Sequence, residues 1–286
     1  MKNRYILILL AFLCWNIACK DAPEYQVEET QANTDYFHTN NVLISAHRGG
    51  SGLKNYPENC LETLKYLDGK GINLFEVDIT QTSDNKLVLF HDDHLERLTT
   101  GNGSAKGKTA EDLRELNLVD DFGNETPYKI PYLEDVLKWG KRNNTYFMID
   151  FKRGVPFEDV IDLIRKEKME NNVALISYTV PQAEKLHKLA PEMMISVSAR
   201  NHEELNKILD TNIPHNKMLA FTGTRLSPQS LFDELKKLKI PINLGTLGNL
   251  DKKAEAGGDK LYKVWREQGV DIFSTDRPLE VYQQLK

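Results

Sequence analysis

From Val42 onward, short apolar runs alternate with longer segments in which apolar residues return every three or four positions. The short runs fall at 42–46, 74–79, 145–151, 173–178, 193–198, 218–222, 241–246 and 270–275, and their length and β-branched or aromatic content read as strands. Between them the spacing predicts helices. One opens at Pro57-Glu58-Asn59, carries Leu61, Leu64 and Leu67, and stops at Gly71. Another bears Leu133, Val136 and Leu137, and a later one Leu231, Leu235 and Leu238. Pro181 and Pro228 suit first-turn positions, the latter after a Ser227 cap. Strand and helix alternating through eight strands is the pattern of a closed parallel (β/α)8 TIM barrel in the α/β class.

Residues 87–90 form a further strand, but the connection 80–86 is too short for a parallel crossover, which takes about a dozen residues. The segment must turn back antiparallel as a hairpin about Asp84-Asn85, which brings His91 roughly opposite Asp78. Residues from about 93 to 130 show no clear barrel element. Glycines at 101, 103 and 107 indicate a loop and Thr109 to Leu118 a short helix, so this stretch is predicted to be a small insertion after the second strand, over the barrel mouth.

The first 41 residues differ in kind. Lys2 and Arg4 precede the apolar run Tyr5 to Leu13, which is too short to cross a bilayer, and Ala18 stands before Cys19. Residues 1–19 therefore read as an export signal resembling that of bacterial lipoproteins, with Cys19 lipidated and the protein held at a membrane on the periplasmic or cell-surface face. Residues 20–41, rich in acidic side chains and poor in apolar periodicity, read as a flexible tether. Residues 42–286 then make one folded domain. Cys14 and Cys19 both lie in the leader, so the domain keeps only Cys60, a small apolar core group, and a disulfide framework is excluded. The net charge of -5 offers no basic face for nucleic acid. Oligomeric state is not written in the sequence.

The strand ends carry the chemistry. Glu76 and Asp78 are two apart in a strand, so both carboxylates face one way, an arrangement that calls for a cation between them. With Asp150 they give three hard oxygen ligands suited to Mg²⁺ or Ca²⁺. Arg48 offers a planar fork to phosphate oxygens and Lys152 a second cation. His47 and His91 can carry protons near neutral pH. Together these groups suit metal-assisted attack on an anionic phosphoester.

His47-Arg48-Gly49, Pro57-Glu58-Asn59, Glu76-x-Asp78, His91-Asp92, Arg97-x-Thr99-Thr100-Gly101, Pro131-x-Leu133-Glu134, Asp150-x-Lys152, Gly269-Val270-Asp271 and Thr275-Asp276-x-Pro278 resemble the glycerophosphodiester phosphodiesterase family, over most of residues 42–280. The resemblance implies hydrolysis of a small-molecule glycerophosphodiester to glycerol 3-phosphate and an alcohol with one divalent cation. It places Glu76, Asp78 and Asp150 as metal ligands, His47 and His91 as the acid/base pair, and Arg48 and Lys152 on the phosphate. Glu58 stands behind these groups. The family route has the neighbouring glycerol hydroxyl attack phosphorus, giving a cyclic phosphate that water opens. Phospholipase-like cleavage of intact phospholipid on the same barrel and a non-catalytic lipoprotein that binds a phosphorylated headgroup are the alternatives. Two departures stand out. Asp150 is one methylene shorter than the usual Glu, and Leu244-Gly245-Thr246 replaces a stretch that often reads Trp-Thr, leaving Tyr178, Phe221 and Tyr56 to supply an aromatic wall.

Overall fold

The computed structural model describes residues 36–286. The stretches expected to be a signal (1–19) and, up to residue 35, a tether lie outside the described residues. Eight strands close a parallel barrel: β1 (Leu43–Ala46), β2 (Leu74–Gln81), β4 (Tyr146–Phe151), β5 (Val173–Ile176), β6 (Met194–Ser198), β7 (Met218–Phe221), β8 (Ile242–Gly245) and β9 (Ile272–Thr275), with β9 pairing back onto β1. The helices that follow, from α1 (Leu61–Asp68) to α10 (Pro278–Leu285), cover the barrel's outer face with one large apolar core.

Inside the barrel each strand contributes a row of every second residue, and the rows change character along their length. Leu74-Glu76-Asp78, Tyr146-Met148-Asp150 and Ile272-Ser274-Asp276 all run from apolar at the base to polar at the mouth. The base is filled by Leu43, Leu74, Tyr146, Met148, Ala174, Met194, Leu219 and Ile272. It is closed by a short 3-10 turn, Tyr36–His38: Phe37 is buried there, and Tyr36 stacks on Tyr146 and donates to Asn73 Oδ1 at 3.0 Å. Residues 36–38, expected in the tether, thus belong to the folded unit, because two aromatic rings have apolar surface to bury under the barrel. Tyr36 and Lys286 border one recess at this end.

β3 (Leu87–Leu89) pairs antiparallel with β2, Ile79 opposite Leu89, after a turn in which Asn85 takes φ +58°. The ladder ends with Phe90 N donating to Asp78 O at 3.0 Å, so His91 emerges one residue beyond Asp78. The segment after β3 holds α2 (Ala110–Glu115), which has a reciprocal capping box between Thr109 and Asp112. A small core of Leu95, Leu98, Ala105, Leu113, Leu118 and Ile130 packs this segment against Val88, Phe90 and Cys60.

Two helix starts differ from expectation. Pro57 to Cys60 is a turn, with Asn59 at φ +52°, and α1 begins only at Leu61. Pro228 is itself the residue before α7 (Gln229–Lys237), while Ser227 Oγ donates to the carbonyls of Arg200 and Thr222 and caps nothing. Pro181 does sit in the first turn of α5 (Val180–Leu189), after a Thr179 side-chain cap.

Candidate active site

The β1 strand ends in a turn that the sequence makes unusually tight. Arg48 takes φ +51°, and at Gly49 and Gly50, both at positive φ, an added Cβ would lie 2.8 Å from Leu64 and 2.6 Å from Leu67. The turn therefore rests directly on α1 and aims its polar groups at the barrel mouth. Arg48 N donates to Glu76 Oε2 at 2.8 Å. The Pro57–Cys60 turn delivers Asn59, which grips Asp78 at two points: Nδ2 donates to Asp78 Oδ2 at 2.7 Å, and Asp78 N donates to Asn59 Oδ1 at 3.0 Å.

Glu76, Asp78 and Asp150 each offer an oxygen within 4.8 Å of the others, all buried. Asp78 and Asp150 are direct cross-strand partners in the β2–β4 ladder. Lys152 Nζ answers part of their charge, 2.7 Å from Asp78 Oδ1 and 3.0 Å from Asp150 Oδ2. Burial, and then the charges of Asp78 and Asp150, push the Glu76 carboxyl up to about 8. Burial would also raise Asp78, but Lys152, His91 and Asn59 hold it below its ordinary value. Asp150 Oδ1 is buried with no hydrogen-bond partner among the described residues. An orphaned oxygen in an all-carboxylate trio fits a hard divalent cation, and the shorter Asp150 side chain still reaches the cluster.

Each imidazole has its own carboxylate. His47 Nδ1 donates to Asp276 Oδ1 at 2.7 Å, and Ser51 Oγ and Gly248 N hold the same carboxylate. Burial would lower His47, but the Asp276 hydrogen bond and the charge of Glu76 raise it on balance. His91 Nδ1 donates to Asp92 Oδ1 at 2.6 Å, and its Nε2 meets Arg48 Nη2 at 2.8 Å. Burial would raise Asp92, yet hydrogen bonds from Arg97 and His91 hold it at about 2.

Behind these groups stands buried Glu58, which takes both Arg48 and Arg97 on its two oxygens. Arg97 forks a second time onto Asp92, through Nε and Nη2 at 2.7 Å each. Glu58, His91 and Asp92 cluster closely enough to hold an ion, but two guanidiniums already balance them. Asp120 and Asp121 of the insertion accept from Asn55 N and Gly52 N, tying that segment to the β1–α1 loop.

A cavity of about 210 Å³ opens at this end of the barrel. His47, Glu76, Asp78, His91, Asp150 and Lys152 line one side. Tyr178 and Phe221 border it too, whereas Tyr56 stacks on Tyr66 and takes no part. All eight residues singled out from sequence thus converge. Of the residues quoted only within motifs, Asp276 holds His47 directly and Arg97 braces the Asp92 carboxylate that holds His91. Their signal was present: Asp276 ends an inward row like that of Asp78, and Arg97 follows His91-Asp92 on the hairpin's return.

A model of the Glycerophosphoryl diester phosphodiesterase family matches residues 47–273. The chain belongs to this family. Among glycerophosphodiester phosphodiesterases, that of Caldanaerobacter subterraneus is 30% identical over 162 residues, covering 54% of this chain and 66% of the relative. One from Bacillus subtilis is 29% identical over 170 residues, 53% of this chain and 57% of its own length. The chain thus spans less than two thirds of either relative. A crystal structure of a glycerophosphoryl diester phosphodiesterase from Parabacteroides distasonis superposes with a TM-score of 0.79 at 32% identity, covering 88% of this chain and 91% of that one. An Oleispira antarctica phosphodiesterase in complex with sn-glycerol-3-phosphate shares the fold, with a TM-score of 0.64 at 21% identity over 85% of this chain and 96% of that one.

Proposed function

We propose that this glycerophosphoryl diester phosphodiesterase family member hydrolyses glycerophosphodiesters to glycerol 3-phosphate and an alcohol. One observation carries the reading: three carboxylates, two oriented imidazoles and two cations share one mouth of the barrel. Glu76, Asp78 and Asp150 would hold one Mg²⁺ or Ca²⁺, which when bound supplies Lewis-acid neutralisation of the phosphoryl oxygens. Lys152 and Arg48 add positive charge where the phosphoryl group gains electron density.

His91 is the base in this scheme, since its Nε2 lone pair already faces a donor while Nδ1 is committed to Asp92. Once Arg48 turns to the phosphate, Nε2 takes the proton of the attacking hydroxyl. His47, held by Asp276, delivers a proton to the departing alcohol oxygen; water then opens the cyclic phosphate, giving a proton to His47 while His91 returns its own to the glycerol oxygen.

The test is to chelate the protein, restore Mg²⁺, Ca²⁺ or Mn²⁺ separately, and follow glycerol 3-phosphate from several diesters alongside intact phospholipids. Release that depends on the added cation is expected. Silence with every cation removes the reading, and faster cleavage of intact phospholipid moves it to the lipid-cleaving alternative. The leader supports an exported enzyme anchored through Cys19, so Cys19→Ala should move it from membrane to soluble fractions; unchanged fractionation counts against the anchor.

A further inference from the structure

The half of the cavity away from the catalytic groups differs sharply from the half that holds them. It is lined by Ser196 and Ser198 from β6, Phe221 and Thr224 at and just beyond the end of β7, and Asn243 from β8. Apart from the catalytic set, no lining side chain carries a charge. Part of its hydrogen-bonding capacity is unspent. Among the described residues the hydroxyls of Ser196, Ser198 and Thr224 have no hydrogen-bond partner, and Asn243, whose Oδ1 accepts from Ser274 Oγ at 3.0 Å, has its Nδ2 against only the Met148 sulfur, at 3.8 Å. Ser196 and Asn243 are 2% and 1% exposed, so what exposure they have is through the cavity they line.

Gly245 explains how an aromatic ring comes to lie here. A Cβ at this position would fall 2.9 Å from Phe221 Cε2, 3.0 Å from its Cζ and 3.1 Å from Thr224 Cγ2. The Phe221 ring therefore occupies the space that any side chain at 245 would need. The ring thus comes from β7 and is laid across a glycine of the neighbouring β8.

We propose that this half of the cavity is built for an uncharged polyhydroxy alcohol esterified to the phosphate, and that Phe221, seated on Gly245, is its specificity-determining wall. The proposal rests on the phosphodiesterase reading above and names the substrate class within it. A polyol presents hydroxyls to Ser196, Ser198, Thr224 and Asn243 and its C–H face to the ring. An ammonium or carboxylate headgroup would give up hydration there and meet no opposite charge.

The experiment measures kcat/KM for glycerophosphoglycerol and glycerophosphoinositol against the choline, ethanolamine and serine diesters, with the metal-loaded full chain. The wild-type enzyme should favour the polyol esters by about tenfold or more, equivalent to one 1.4 kcal/mol difference in transition-state binding. Phe221→Ala should erase most of that preference through KM. Phe221→Leu, which keeps an apolar side chain but removes the flat ring, and Ser198→Ala, which removes one hydroxyl, should each weaken it while the fold is retained. Equal or better cleavage of the choline ester by wild type overturns the proposal. So does an equal rise in KM for all five diesters in Phe221→Ala, since the cavity would then hold the glycerol they share. Absence of turnover with every diester overturns the phosphodiesterase reading, and this inference with it.

Discussion

Arg48 donates through Nη2 to Nε2 of His91 at 2.8 Å, and a guanidinium has only protons to give. In this geometry His91 turns the Nε2 lone pair to Arg48 and the Nδ1 proton to Asp92, a tautomer set by its two partners. The same arginine is clasped by Glu58, so the side chain proposed to meet the phosphate also holds the imidazole.

Asp92→Asn should disturb that tautomer, because a side-chain amide can donate to Nδ1 and drive the proton to Nε2. The expected loss is about 10²-fold or more in kcat, in line with removal of a positioned base, with KM changed much less. His91→Ala should cost as much. Steady-state release of glycerol 3-phosphate by variants with unchanged circular dichroism makes the comparison; near-normal kcat in both would exclude His91 as base.

Arg97→Ala leaves Glu58 and Asp92 each short of a two-point partner. Unfolding in urea should show a loss of about 1–3 kcal/mol, the usual cost of leaving buried polar groups unsatisfied, together with a fall in kcat. Arg97→Lys should stay impaired, since one ammonium cannot present two planar forks. Full recovery of both quantities in the lysine variant would reduce Arg97 to a simple counter-charge.

Glu76 gives a pH dependence whose sign is set by the folded state binding its proton more tightly than the unfolded chain. The carboxyl rises from 4.5 to about 8 without metal, so its contribution to stability is full below 4.5 and is lost as pH climbs toward 8. The Tm of chelated protein should fall across that window, and Glu76→Gln should flatten the fall. Adding a divalent cation should raise Tm more at pH 8 than at pH 5, because the ion binds the ionised trio. Parallel curves for wild type and Glu76→Gln would show that this carboxyl does not control the window.

The barrel was readable because burial on both faces makes each parallel strand a short apolar run, and all eight lie within about two residues of their expected places. Glu76, Asp78 and Asp150 were readable because a strand's period of 2 sets direction. The start of α1 was not, because Asn59 leaves the helical region to meet Asp78, and that long-range bond overrides local helix signals. Nor did Asp276 announce itself as a partner of His47. They are 229 residues apart, and only the closing of β9 onto β1 makes them neighbours. Gly245 was legible as a loss of side chain, but not as the seat for Phe221, which belongs to a different strand.

The stacked pair Tyr36 and Tyr146 seals the end of the barrel remote from the catalytic groups, and Lys286 borders the same recess. Both extremities of the described chain thus emerge on the blind side. Anything joined at either point is spliced to the floor of the vessel, at the end opposite its carboxylates.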